Sequence, residues 1–278
     1  MKRLFDEISY NCSRNITKTY STSFSLGILF LDKSIRKPIY NIYGFVRAAD
    51  EIVDTFHNYP KKELLDDFKK DTIKALDQKI SLNPILNSFQ QVVHEYKIDW
   101  KLIEAFLISM EMDLDQSQHD SISYDEYIYG SAEVVGLMCL KVFVNGDETL
   151  YQHLKPYAKK LGAAFQKVNF LRDVQDDYAT LGRTYFPGVD MNNFTITEKK
   201  EVEKDILNDF KEALIGISQL PMSSRKGVYL AYFYYLRLFK KIQKLPATRV
   251  LEERIRIPNS QKIALMFSSL VRHQLNLL

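Results

Sequence analysis

Apolar residues recur at three- and four-residue spacing along almost the whole chain. No stretch keeps the two-residue alternation of a half-buried strand. This period constrains the fold more than any other feature. It predicts helices over about 3–16, 20–31, 36–57, 61–77, 83–95, 99–115, 123–144, 147–181, 198–218, 222–243 and 259–276. Breaker clusters fall between them, among them "NYP", "SLNP", "QHDS", "NGD", "FPG", "QLP" and "KLPATR". Asn83 before Pro84 reads as a helix start, and Asp99 and Ser123 read as N-caps. With only 10 Gly and 8 Pro in 278 residues, and no Gly/Ser-rich linker, residues 1–278 are expected to form one all-α domain. A hydrophobic content of 46% is enough for a substantial core.

A formal net charge of +3 gives no reason to expect a nucleic-acid partner. Cys12 and Cys139 have no metal-type spacing, and one possible pair is no disulfide framework, so a reduced cytoplasmic setting is expected. "MKRLFDEISYNC" lacks the apolar core of a signal peptide. "FSLGILFL" and "VVGLMCLKVFV" fall short of the roughly 18–20 residues a membrane span needs. There is no G-x-G-x-x-G and no Walker A loop.

Two helical runs carry acids among apolar neighbours. In "YGFVRAADEIVDTF" (43–56), a helix turning about 100° per residue brings Tyr43, Arg47, Asp50 and Asp54 within an arc of roughly 60°. In "LGAAFQKVNFLRDVQDDYATLGRTYFP" (161–187), Gln166, Asn169, Asp173 and Asp177 fall within about 80°, with Arg172 beside them. Each is a narrow polar seam on a buried helix, not a broad wet face. Buried carboxylates need partners or a metal. Asp pairs one turn apart offer hard oxygen ligands for Mg²⁺, which keeps some waters and shares its remaining positions with substrate phosphates. Arg47 and Arg172 would add donors for phosphate oxygens. The rival reading is two structural salt-bridge seams, Arg47 with the first pair and Arg172 or Arg183 with the second. A di-iron bundle wants Glu-x-x-His motifs, and only Asp54–His57 comes near that spacing.

These residues resemble the squalene/phytoene synthase family of head-to-head prenyl diphosphate synthases. Leu161, Gly162, Gln166, Asn169, Arg172, Asp173, Asp177, Arg183, Tyr185 and Pro187 fill every place of the family's second motif. The first stretch matches its Arg-x-x-Asp-Asp-x-x-Asp motif, with Glu51 where Asp is common. "STSFSLG" (21–27), with Ser21, Ser23 and Phe24, looks like the Ser-x-Ser-Phe segment that helps hold diphosphate. "YIYGSAEVVGLM" (127–138), with Tyr127, looks like the kinked small-residue helix, although Ile128 and Glu133 stand where smaller residues are usual. "ERIRIP" (253–258), with Arg254, looks like a C-terminal basic segment.

The resemblance implies a helical bundle of isoprenoid-synthase type around a central apolar cavity. It implies several Mg²⁺ ions held with the substrate diphosphate by Asp50, Glu51, Asp54, Asn169, Asp173 and Asp177. Diphosphate departure leaves an allylic cation, a second prenyl diphosphate adds to give a cyclopropyl diphosphate, and this ionises, rearranges and loses a proton. By matched position Phe24, Tyr43, Tyr127, Phe170, Tyr185 and Tyr235 are candidates to face the cations. The wording of both motifs is most like bacterial phytoene synthases. Two geranylgeranyl diphosphates are therefore the expected substrates, with no NADPH. Dehydrosqualene or squalene from farnesyl diphosphate is the alternative, and a non-enzymatic assembly protein with eroded acids is another. The long apolar product implies release towards a membrane, so peripheral membrane association and downstream carotenoid enzymes are expected partners.

Overall fold

The computed structural model describes residues 2–115, 120–181, 185–189, 194–252 and 255, apart from the side chains of residues 22, 23, 115, 176–181 and 252. Every regular element among them is helical. In order these are α1 (Lys2–Tyr20), α2 (Thr22–Leu29), α3 (Lys33–Asp54), α4 (Lys61–Gln78), α5 (Pro84–Tyr96), α6 (Trp100–Asp115) and α7 (Ser121–Ile128). A π-helical turn (Tyr129–Glu133) leads into α8 (Val134–Phe143), followed by α9 (Glu148–Leu181), α10 (Ile196–Gln219), α11 (Met222–Gln243) and α12 (Ala247–Glu252).

The helix ends follow local chemistry. Asn83 accepts hydrogen bonds from the Ile85 and Leu86 amides, with Pro84 opening α5. The Asp99 carboxylate accepts from the Lys101 amide at 2.9 Å, as its N-cap reading required. Ser123 is not a cap: Asp120 takes that place and accepts from the Ser123 amide at 2.8 Å, a carboxylate at a helix N-terminus being favoured by the helix dipole. The third helix begins at Lys33 rather than near 36, because Asp32 caps it through the Ser34 amide. The span expected as one helix over 123–144 is interrupted by the π-helical turn. The short α12 falls where "KLPATR" was expected to break the chain, and the helix expected over 259–276 lies outside the described residues.

Helix α3 runs through the interior and packs against α1, α4, α5, α6 and α8. Ile42, Phe45, Val46, Ala49, Ile52 and Val53 are its buried face. Phe45, fully enclosed, stacks on Phe89 at 3.9 Å and on Phe68 at 5.5 Å, and leans on Phe106. Enclosing one such ring contributes about 2–3 kcal/mol. The long α9 packs on α8, α10, α11, α12 and the π turn. The two acid-bearing helices therefore both belong to the interior of the bundle.

Gly130, in the π turn, lets that turn approach α6 closely. A Cβ there would lie 2.5 Å from the Ala105 carbonyl oxygen and 2.7 Å from the Ser109 Cβ. Gly130→Ala is expected to lower stability by about 1–3 kcal/mol through overpacking, read as a lower denaturant midpoint with an unchanged slope.

Candidate active site

On α3 the polar seam sits opposite the enclosed aromatic face. The Arg47 guanidinium bonds Glu51 most closely, and lies 3.9 Å from both Asp50 and Asp54. The Tyr20 ring covers it at 4.5 Å, and Tyr20 also hydrogen-bonds Glu51. Glu51 further accepts from the Thr55 hydroxyl at 2.7 Å. Glu51 thus faces Arg47, Tyr20 and Thr55, a different side of the helix from Asp50.

Burial, then the neighbouring Asp54 charge, push the Asp50 carboxyl up to about 8, although Arg47 acts the other way. This bears on the salt-bridge rival. A carboxylate satisfied by its arginine would be held low, whereas Arg47, 3.9 Å away, does not offset the burial of Asp50 and the charge of Asp54.

On α9, Arg172 forms a two-pronged bond with Asp173, at 2.9 and 2.5 Å. Burial works against the Arg172 charge, yet this pairing keeps its pKa above the usual arginine value. One turn earlier, Asn169 hydrogen-bonds Tyr235 of α11. The Asn169 Oδ1 is buried with no hydrogen-bond partner, an arrangement that ordinarily costs free energy. The side chains of Asp177 and Ser23, and Arg183 and Arg254 altogether, lie outside the described residues.

Tyr43 and Asp50 of the first seam and Gln166 and Asn169 of the second line one cavity of about 310 Å³, whereas Arg47, Asp54, Arg172 and Asp173 are not in its lining. Its polar end is lined by Ser21, Tyr43, Asp50, Gln166, Asn169 and Tyr235. Beyond them the lining is apolar, with Val46, Val135, Leu161, Phe143 and Leu154, reaching Leu31 and Leu220. Phe24 stacks on Tyr43 at 4.5 Å, and Phe165 on Tyr235 at 4.0 Å. Ser21 caps α2 and also hydrogen-bonds the Tyr43 hydroxyl. Burial pushes the Tyr43 phenol up to about 12, so it remains a neutral hydroxyl at neutral pH. Apolar walls with polar groups gathered at one side suit a long apolar chain with a charged head.

Tyr127 and Tyr185 are buried behind the cavity wall rather than in its lining, with Phe170. Phe170 stacks on Tyr185 at 4.0 Å, and Tyr127 on Tyr185 at 5.4 Å. Glu133 also stays out of the cavity: it pairs with Lys159 at 2.9 Å, while Ser131 and Ala132 of the same turn face inward. Two residues escaped the sequence reading. Tyr20 could not be found from periodicity, since only the packing of α1 against α3 places it over Arg47. Asp113 carried the same signal as Asp50, an acid between Met110, Met112 and Leu114, in a helix without a second motif acid in register.

The described residues hold no cluster of three His, Cys, Asp or Glu side chains able to bind an ion by themselves. The donors available to Mg²⁺ still fit it. They are hard oxygens, among them the Asp50 carboxyl and the unbonded Asn169 Oδ1, which face the same cavity.

A dehydrosqualene synthase of known crystal structure has the same fold, with a TM-score of 0.81 over 97% of this chain and 98% of that one, at 22% identity. The squalene synthase HpnC of Alicyclobacillus acidocaldarius aligns at a TM-score of 0.74 and 19% identity, over 85% of this chain and 93% of that one. The chain thus has the all-α fold of isoprenoid synthases. The sequence model of the squalene/phytoene synthase family matches residues 17–261, and the chain belongs to that family. It is a prenyltransferase of the head-to-head type. A 4,4'-diapophytoene synthase of Staphylococcus haemolyticus is 29% identical, covering 73% of this chain and 70% of the relative. A phytoene synthase of Arthrospira platensis is 26% identical over 85% of this chain and 84% of the relative. No described helix is long and apolar enough to cross a membrane.

Proposed function

We propose that the chain, acting as one domain, joins two geranylgeranyl diphosphates head to head to form phytoene and two diphosphates. The observation that carries the prenyl-transfer chemistry is that Tyr43 and Asp50 of α3 meet Gln166 and Asn169 of α9 in the lining of one largely apolar cavity. In this reading Asp50, Asp54, Asn169, Asp173 and Asp177 hold Mg²⁺, with Glu51 contributing indirectly through Arg47. The bound Mg²⁺ supplies positive charge that makes diphosphate a better leaving group. Arg47, Arg172, Arg183 and Arg254 are assigned to phosphate oxygens, helped by Ser21, Ser23 and Gln166. Phe24, Tyr43 and Tyr235 present aromatic faces to the cations, each worth about 0.5–2 kcal/mol. The apolar walls exclude water that would trap them. Tyr127 and Tyr185 shape the wall from behind. Release of the apolar product towards a membrane surface, and hand-over to carotenoid enzymes, belong to the same reading.

Farnesyl diphosphate is the second reading, favoured by the 29% identity to a diapophytoene synthase. Purified protein incubated with Mg²⁺ and either diphosphate, with and without NADPH, separates the two by product mass. Phytoene from geranylgeranyl diphosphate, indifferent to NADPH and abolished by a chelator, is the expected result. A C30 hydrocarbon from farnesyl diphosphate alone would overturn the substrate assignment, and no hydrocarbon from either would favour an assembly role.

A further inference from the structure

Asp113 is on α6, which carries neither acidic motif, yet it is buried beside the site at 8% exposure. Its carboxylate accepts a hydrogen bond from the Tyr127 hydroxyl at 2.9 Å. The pairing follows from backbone geometry. Gly130 brings the π turn against Ala105 and Ser109 of α6, and about one turn on along α6 and one turn back from Gly130, Asp113 meets Tyr127. Tyr127 then stacks on Tyr185 and on Phe170, at 5.4 and 6.0 Å. Tyr185 belongs to the segment that follows the second acid-bearing helix, and Phe170 belongs to that helix itself.

We propose that Asp113 is a positioning residue for prenyl transfer: by holding the Tyr127 hydroxyl it fixes the aromatic stack that anchors α9 and the chain leaving it, and so sets the α9 acids against those of α3. The Asp113 charge also reaches Asp50, reinforcing the effect of burial and of Asp54 on that carboxyl. The Asp113 carboxylate takes no part in bond making. The inference rests on the metal–diphosphate reading of the site, since it concerns how the two halves of that site are held apart.

The test uses the full chain with Mg²⁺ and inorganic diphosphate as probe, so that it does not depend on turnover. The parent protein should show a rise in melting temperature with both present. Asp113→Ala and Tyr127→Phe should require at least fivefold more Mg²⁺ for half of that rise, and should alter the near-ultraviolet circular dichroism of the tyrosines. Their kcat should fall about tenfold or more, because displacing a reacting group by about 1 Å is already costly. Asp113→Asn, which keeps an acceptor for Tyr127, should recover part of both effects. Tyr127→Phe removes a single oxygen and keeps the ring, so it reports even if Asp113→Ala fails to fold. A merely structural role would lower the melting temperature and leave the Mg²⁺ requirement unchanged in both variants, which overturns the proposal alone. Absence of any rise in the parent overturns the reading of the site, and the proposal with it.

Discussion

Asp50→Asn and Asp173→Asn are each expected to reduce turnover by about 10²–10³-fold or more while the protein stays folded. Each change replaces a charged hard ligand with a neutral amide where transition-state charge is stabilised, and single contacts of that kind are worth factors of this size. Stability should move the other way at Asp50. Its carboxyl is pushed up to about 8 by burial and by Asp54, so a neutral amide avoids the cost that a titratable carboxyl carries at this place in the ligand-free protein. The melting temperature of Asp50→Asn without ligand is expected to equal or exceed that of the parent. Asp173→Asn, which gives up one strong bond with Arg172, should lose a little. Steady-state prenyl transfer and thermal melts on the same preparations check both statements. Near-normal turnover in either variant would remove the carboxylates from the mechanism and return the seams to a structural role.

The largest loss of stability is expected at Asp209. Its carboxylate is 1% exposed and accepts from Lys160 at 2.9 Å and Lys167 at 2.7 Å, tying α10 to α9. Asp209→Ala strands the buried Lys167 with only the more exposed Asp205 as partner. Leaving a buried charge without its counter-ion typically costs about 3–5 kcal/mol, which for a chain of this size lowers the melting temperature by roughly 10 °C. Hydrogen bonding to Asp209 holds the Lys160 ammonium above the ordinary lysine value of 10.5. Lys167 is also raised: burial opposes its charge, but its bonds to Asp205 and Asp209 prevail. Groups whose pKa rises on folding add stability that is fully present below the unfolded value and is lost as pH climbs through the folded one. The stability gap between the parent and Asp209→Ala should therefore be constant near neutral pH and narrow as pH climbs above 10.5. A gap that narrows on acidification from pH 8 to 6 would place the effect elsewhere.

The helical class was legible because the 3.6-residue period is local: Phe45, Ala49, Ile52 and Val53 on one face and Arg47, Asp50 and Asp54 on another need only the geometry of one helix. The gathering of Tyr43, Asp50, Gln166 and Asn169 around one cavity was anticipated from register and from family resemblance. A kink over 127–138 was expected from the resemblance alone; that it takes the form of a π turn was not, and its consequence is the close approach at Gly130. Arg47 shows the same limit. Its place in the seam and its i,i+4 partner Glu51 belong to one helix, but the Tyr20 ring that covers it comes from α1 and depends on how α1 packs against α3.

The sequence by itself determined that the chain is helical, that two buried helices each carry acids on a narrow face, and that no dinucleotide loop accompanies them. Those are properties of residues within a few turns of one another. Only the tertiary structure decided that Asp113 stands beside Tyr127, that Tyr185 is packed behind the wall instead of lining it, and that the Asn169 Oδ1 is enclosed without a partner. Each of these depends on contacts between separate elements of the chain. Such contacts are set by packing of the whole core, which close-packed interiors satisfy in few ways and which periodicity does not encode.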